Sequence, residues 1–139
     1  ERLRRLPACP PLLVKIAPDL NDDELRGLVD ALLECGIDGI TATNTTIDHS
    51  GVAGSRHAEE TGGLSGAPLR ARATEVVRQV RHQAGPDLPI IAVGGIMNPA
   101  DAVEKMEAGA NLVQIYTGLI YRGPRLVRES AAAIRDHCP

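Results

Sequence analysis

The chain has 139 residues and a formal net charge of −3, enough for one ordinary domain whose core buries roughly 70% of the unfolded surface. The mild acidity and the lack of a basic stripe exclude nucleic acid as the main partner. No apolar run approaches the ~20 residues of a membrane span, and nothing at the start reads as a signal peptide. Cys9, Cys35 and Cys138 are odd in number, widely spaced and without a CxxC, which fits a reducing compartment and gives no disulfide or metal framework.

In chain order, ERLRRLPACPP opens with charges and reads as the tail of a helix followed by a proline turn into a strand, as if a unit preceded it. The first strand is expected from Leu12 to Ile16. Asp19 or Asn21 can cap the helix that follows, and Asp22, Asp23 and Glu24 in its first turn suit the helix dipole. Leu25, Leu28, Val29, Leu32 and Leu33 recur at helical spacing, and Gly36 stops the run.

A second strand is expected from Gly39 to Thr43. The stretch Thr45 to Gly66 is polar, holds Gly51, Gly54, Gly62, Gly63 and Gly66, and has no helical period. Loops of that length are usually lids or binding loops. The next helix starts near Ala67-Pro68, with Leu69, Val76, Val77 and Val80 inward and Arg70, Arg72, Arg78 and Arg81 outward. The third strand, Pro89 to Val93, ends at Gly94-Gly95. Asn98 then caps a short helix with Ala102, Val103 and Met106 facing in and Gly109 at its close. The fourth strand, Asn111 to Tyr116, leads through Thr117-Gly118 to a short turn, then Gly123-Pro124 and a last helix to about His137.

The unit is a strand and a helix, four times over. Continuous apolar strands of this kind belong to parallel sheets covered by helices. An eight-stranded β/α barrel needs about twice as many units. Four are half a barrel, or a small open sheet complete in itself.

The polar residues collect at the strands' C-terminal ends, where β/α barrels carry their chemistry. Lys15, in LLVKIAP, is either a snorkelling lysine or a cation steadying an anion or an electron-rich ring. Thr43, Asn44, Thr45 and Thr46 are either a polar turn bonded to its own backbone or a pocket floor that reads a small planar ligand. The loop GGLSG, from Gly62 to Gly66, lets backbone approach a ligand closely. Gly94-Gly95 before a capped helix, with Thr117-Gly118 at the next strand end, suits a phosphate. His49, His57, His82 and His137 show no metal-ligand spacing. Asp48, Glu59 and Glu60 have no evident partner, and Ser65 in GLSG is not a nucleophile elbow.

Taken in order, VKIAPDL, GITATNTT, TGGLSGAPL, PIIAVGGI and LVQIYTGLIYRGP resemble the C-terminal half of the class 2, quinone-dependent dihydroorotate dehydrogenases, from about Leu12 to the last helix. The resemblance implies that residues 1–139 are the C-terminal half of an FMN-binding (β/α)8 TIM barrel. It implies FMN-dependent oxidation of (S)-dihydroorotate to orotate in pyrimidine biosynthesis, with a quinone as acceptor: a proton leaves C5 and a hydride passes from C6 to flavin N5. By matching positions, Lys15, Thr43, Gly66, Gly94, Gly95, Tyr116 and Thr117 would bind FMN, and Asn44 and Thr45 would bind orotate.

The family's catalytic base, a serine in this class, lies in the first half of the barrel. So do further asparagines, and the N-terminal helices that form the quinone entrance and dock the bacterial enzymes to the cytoplasmic face of the inner membrane are also upstream. None matches this chain, so no catalytic residue is assigned within it. A half-barrel would expose the edges of its outer strands and is expected to be poorly stable or to pair edge to edge with itself. The competing readings are a half-barrel that binds FMN or another phosphate ligand without turnover, and a sugar-phosphate isomerase, which would need carboxylates at the strand ends.

Overall fold

The structure is a computed structural model, and it describes residues 10–56 and 58–137. Cys9, His57 and Cys138, with most of the opening segment, lie outside these residues.

Four strands, β1 (Leu13–Ile16), β2 (Gly39–Ala42), β3 (Ile90–Val93) and β4 (Leu112–Gln114), form one parallel sheet in sequence order. Between them run α1 (Asp22–Glu34), α2 (Arg70–Ala84) and α3 (Pro99–Glu107), and after β4 come α4 (Thr117–Arg122) and α5 (Arg125–His137). Side chains alternate across a strand, so each strand has a helix side and an opposite side. Ile16, Ile40, Ala42, Ile90 and Ala92 form the helix side and are buried with Leu25 and Val29 of α1 and Val76, Val77 and Val80 of α2. Each such valine or leucine, fully buried, is worth about 1.5–3 kcal/mol. On α3 and α5, Ala102 and Leu126 are buried.

On the opposite side the register aligns Lys15 with Thr41, Thr41 with Ile91 and Ile91 with Leu112, one row across all four strands. In the next row Val93 faces Gln114 and its carbonyl accepts from the Thr43 amide. The middle of this side is covered: Thr41, Thr43 and Val93 are buried. Its flanks are open, with Leu13 36% and Leu112 62% exposed.

Local chemistry sets the helix ends. Asn21, not Asp19, caps α1, and Glu24 closes a capping box by accepting from the Asn21 amide. Asp19 instead accepts from the Thr46 hydroxyl and the Ile47 amide, tying the β1–α1 loop to the start of the long loop. Asn98 caps α3 in the same way, with Asp101 as its return partner. Gly36 and Gly109 follow α1 and α3 as expected.

The elements differ from expectation in four places. The segment after β4 is a six-residue helix, α4, rather than a turn. The long loop contains a 3-10 turn, Ser50–Val52, and an antiparallel bridge between Thr46 and Leu64 that closes its base. A 3-10 turn, Ala67–Leu69, precedes α2 proper. Finally, the outward arginines of α2 are not simply solvated. Arg72 donates to the carbonyls of Pro18 (2.8 Å) and Leu20 (2.6 Å), and Arg81 donates to the Gly109 carbonyl (2.8 Å) and Asn111 Oδ1 (2.7 Å). Arg70 pairs with Asp101 at 2.7 Å. These contacts join α2 to the loops before and after its neighbours.

Candidate functional site

A cavity of about 220 Å³ opens at the C-terminal edge of the sheet. Lys15, Thr43, Asn44 and Thr45 line it from β1 and β2, and Gly66 from the end of the long loop. Gly94 and Gly95 line it from β3, and Tyr116 and Thr117 from β4. All nine residues singled out from the sequence thus border one space, although they come from five separate stretches of chain.

The second strand end is built on its own backbone. The Asn44 amide donates to the Ile16 carbonyl at 2.7 Å, which locks β2's exit to that of β1. Thr43 is buried and its hydroxyl donates to the Asn44 carbonyl at 2.8 Å. Asn44 Oδ1 accepts from the Thr45 amide at 3.0 Å, so one side of the Asn44 amide group is already engaged and the other faces the exposed mouth. The Ala42–Thr43 peptide is cis. Thr46, next in the run, turns away to Asp19 and takes no part in the cavity.

Three turns meet at the cavity's other end. Gly66, with φ 79°, enters the 3-10 turn before α2. Gly95, with φ 77°, lies flat against that helix: a Cβ there would sit 2.3 Å from Arg70 Cα. Thr117 begins α4, and its hydroxyl donates to Ser65 Oγ at 2.9 Å. Among the described residues, the amides of Gly66, Gly95 and Thr117 have no acceptor. Backbone amides left without partners around one cavity are the kind of donors that suit an anion. The N-terminus of α3, by contrast, is already occupied: Asp101 accepts from the Met97 and Asn98 amides at 2.8 and 3.1 Å. The phosphate expected after Gly94-Gly95 therefore has the turns ahead of α3 available to it, and not the start of α3 itself.

Ser65, Gln114 and Ile115 also line the cavity and were not singled out for it. Gln114 sits opposite Val93 at the end of β4, a placement that parallel register alone could have found. No carboxylate and no imidazole lines the cavity among the described residues. His49 is bonded within its own loop, to the Ala58 and Gly62 carbonyls, and these hold its pKa above the ordinary value. Asp48 accepts from the Ser50 amide, which holds its carboxyl below the ordinary value. His137 meets Glu107 on the surface. No group of metal-ligating side chains occurs among the described residues, and none of their helices is long and apolar enough to cross a membrane.

Parallel βα units with acceptor-free amides and a lysine at the strand ends have the architecture of part of a β/α barrel. The family model "Dihydroorotate dehydrogenase" matches residues 5–137. The chain belongs to the dihydroorotate dehydrogenase family. Among curated relatives, the dihydroorotate dehydrogenase (quinone) of Paracidovorax citrulli is 56% identical over 97% of this chain and 38% of its own length. That of Prochlorococcus marinus is 58% identical over 91% of this chain and 34% of its own. The crystal structure of the Eimeria tenella enzyme in complex with ferulenol superposes with a TM-score of 0.86 at 44% identity, over 92% of this chain and 34% of that one. The chain thus spans between a third and two fifths of the relatives it matches, and its sheet is a fragment of an α/β TIM barrel.

Proposed function

We propose that residues 1–139 form the FMN- and orotate-binding half of a quinone-dependent dihydroorotate dehydrogenase, acting in pyrimidine biosynthesis. The observation that carries the reading is the convergence of Lys15, Asn44, Thr45 and three acceptor-free amides on one cavity. This donor set fits FMN: the amides of Gly66, Gly95 and Thr117 suit a phosphate, and a lysine ammonium suits an electron-rich ring. When bound, the flavin would accept the hydride taken from dihydroorotate and pass its electrons to a quinone.

This chain's residues bind and orient. Thr43, buried and bonded to the Asn44 carbonyl, holds the Asn44 side chain at the mouth, where its amide and the Thr45 hydroxyl can read the polar edge of orotate. Lys15 lies on the neighbouring strand and lines the same space. Gly94 and Tyr116 complete the walls. Among the described residues no histidine or carboxylate lines the cavity, and Ser65 Oγ accepts from Thr117, so no general base is assigned to these side chains. The base is assigned to the barrel's other half, and membrane docking to the N-terminal helices of the bacterial enzymes. The open flanks at Leu13 and Leu112 are where that half, or a second copy of this chain, would pair.

The test is titration of the chain with FMN, followed by addition of dihydroorotate without oxygen. Binding that quenches flavin fluorescence, with no bleaching by dihydroorotate, is the expected result. Absence of binding would overturn the assignment of the flavin site, and bleaching would overturn the assignment of the base elsewhere.

A further inference from the structure

Among the described residues Lys105 is the largest side chain that is wholly buried, and it lies outside the cavity. Its ammonium donates to the Arg70 carbonyl at 2.9 Å and to Thr74 Oγ1 at 2.5 Å. Among the described residues no carboxylate pairs with it: the neighbouring Asp101 and Glu104 turn to Arg70 instead. A buried charge that meets only neutral oxygens is costly to the fold. Burial accordingly pushes its pKa down to about 8. Such a group is poorly explained as a stabilising contact.

Its partners point to another role. Arg70 opens the first turn of α2 and Thr74 stands one turn further on, and the helix follows the 3-10 turn that Gly66 enters. Gly95 rests on Arg70, where even a Cβ would lie 2.4 Å from Arg70 Cβ, and Gly94 packs on Leu69 and Ala73. A Cβ at Gly118, beside Thr117, would lie 2.2 Å from the Ile96 carbonyl oxygen. The three turns that present the amides are therefore stacked on one another. The α2 turn at the base of the stack is gripped from α3 by Lys105 and by the Arg70–Asp101 pair.

We propose that Lys105 is a positioning residue for the anion nest, holding the first turn of α2 at the height that brings the Gly66, Gly95 and Thr117 amides together. The proposal rests on the phosphate-site reading above and adds to it a residue that never touches the ligand.

The variant to make is Lys105→Met. It keeps the stem's volume and leaves the Arg70 carbonyl still bonded by the Thr74 hydroxyl at 2.9 Å, so the fold is expected to survive. Dissociation constants for FMN and for riboflavin, which lacks the phosphate, separate positioning from general damage. The expected result is an FMN constant raised about tenfold with riboflavin unchanged. Val80→Ala, a core change outside the stack, is expected to lower the melting temperature and leave both constants alone. Equal FMN affinity in wild type and Lys105→Met would overturn the proposal. If the wild type does not prefer FMN to riboflavin, the phosphate reading itself has failed, and amide hydrogen exchange decides Lys105. Faster exchange confined to the bonded amides of these turns, Leu69, Met97 and Asn98, in the variant supports positioning, and no change there overturns it.

Discussion

At the scale of single residues, the cavity is made of positions where a small change has a large and specific effect. Gly95 has a positive φ and no room for a Cβ against Arg70, so both backbone conformation and packing oppose any other residue. Gly95→Ala is expected to cost about 2–4 kcal/mol, read from the denaturant midpoint; a loss below 1 kcal/mol would mean that the loop is not seated as described. Lys15 is the contrasting case. Its side chain is exposed, so Lys15→Ala should move stability by no more than about 0.5 kcal/mol while weakening FMN binding.

Lys105 gives a prediction in pH. Burial holds its ammonium at a pKa of about 8, against 10.5 for an ordinary lysine. The unfolded chain therefore binds the proton more tightly, and stability rises as pH passes from about 8 to 10.5. Below that window the fold bears the whole cost of the lowered pKa, on the order of 3 kcal/mol. The groups that face Lys105 are Asp101 and Glu104 of α3 and Arg70 and Arg78 of α2. The melting temperature of wild type relative to Lys105→Met should climb across that window; parallel profiles would contradict it. Nothing in the sequence pattern marks Lys105, because helical spacing sorts residues by polarity and assigns a lysine to the outside. The same assumption placed Arg72 and Arg81 in solvent, whereas their guanidinium groups bridge elements through carbonyls that no pattern displays.

At the scale of elements, legibility followed length and capping. The helix α1 has apolar residues over several turns and an Asn-x-x-Glu box at its start, so its existence and its N-terminus were both readable, although Asp19 and Asn21 could not be separated without seeing Asp19 bonded to Thr46. In α3 the Asn98 cap was readable, but its partner was not: Asp101 satisfies the amides that would otherwise have met a phosphate. Asn98→Ala should cost about 1 kcal/mol, as loss of an N-cap generally does, measured by the denaturant midpoint. A loss below 0.3 kcal/mol would mean that Asp101 alone secures the end of the helix. The helix α4 was missed because six residues between Thr117 and Gly123 are too few to show a period. The bridge between Thr46 and Leu64 was missed because a single pair carries no alternation.

At the scale of the whole molecule, four repeats of strand and helix announced a parallel sheet, and the polar residues at the strand exits announced where its cavity lies. What the repeats do not encode is how the outer strands are covered. The described residues leave β1 and β4 as edges, with Leu12, Leu13, Leu112 and Val127 exposed beside them. Such edges invite pairing with another chain. Sedimentation at rising concentration should show mass above the 14.7 kDa monomer, and Leu112→Lys should reduce it; a dilute monomer with a sharp cooperative melt would contradict this.

The central claim is that the strand exits form one flavin-phosphate site, and the most direct test is the amide spectrum of the isotope-labelled chain during FMN addition. The account predicts saturable shifts at Gly66, Gly95 and Thr117, with smaller ones at Lys15 and Asn44 and none on the outer face of α5. Shifts that avoid those three amides, or the same shifts with riboflavin as with FMN, would contradict it.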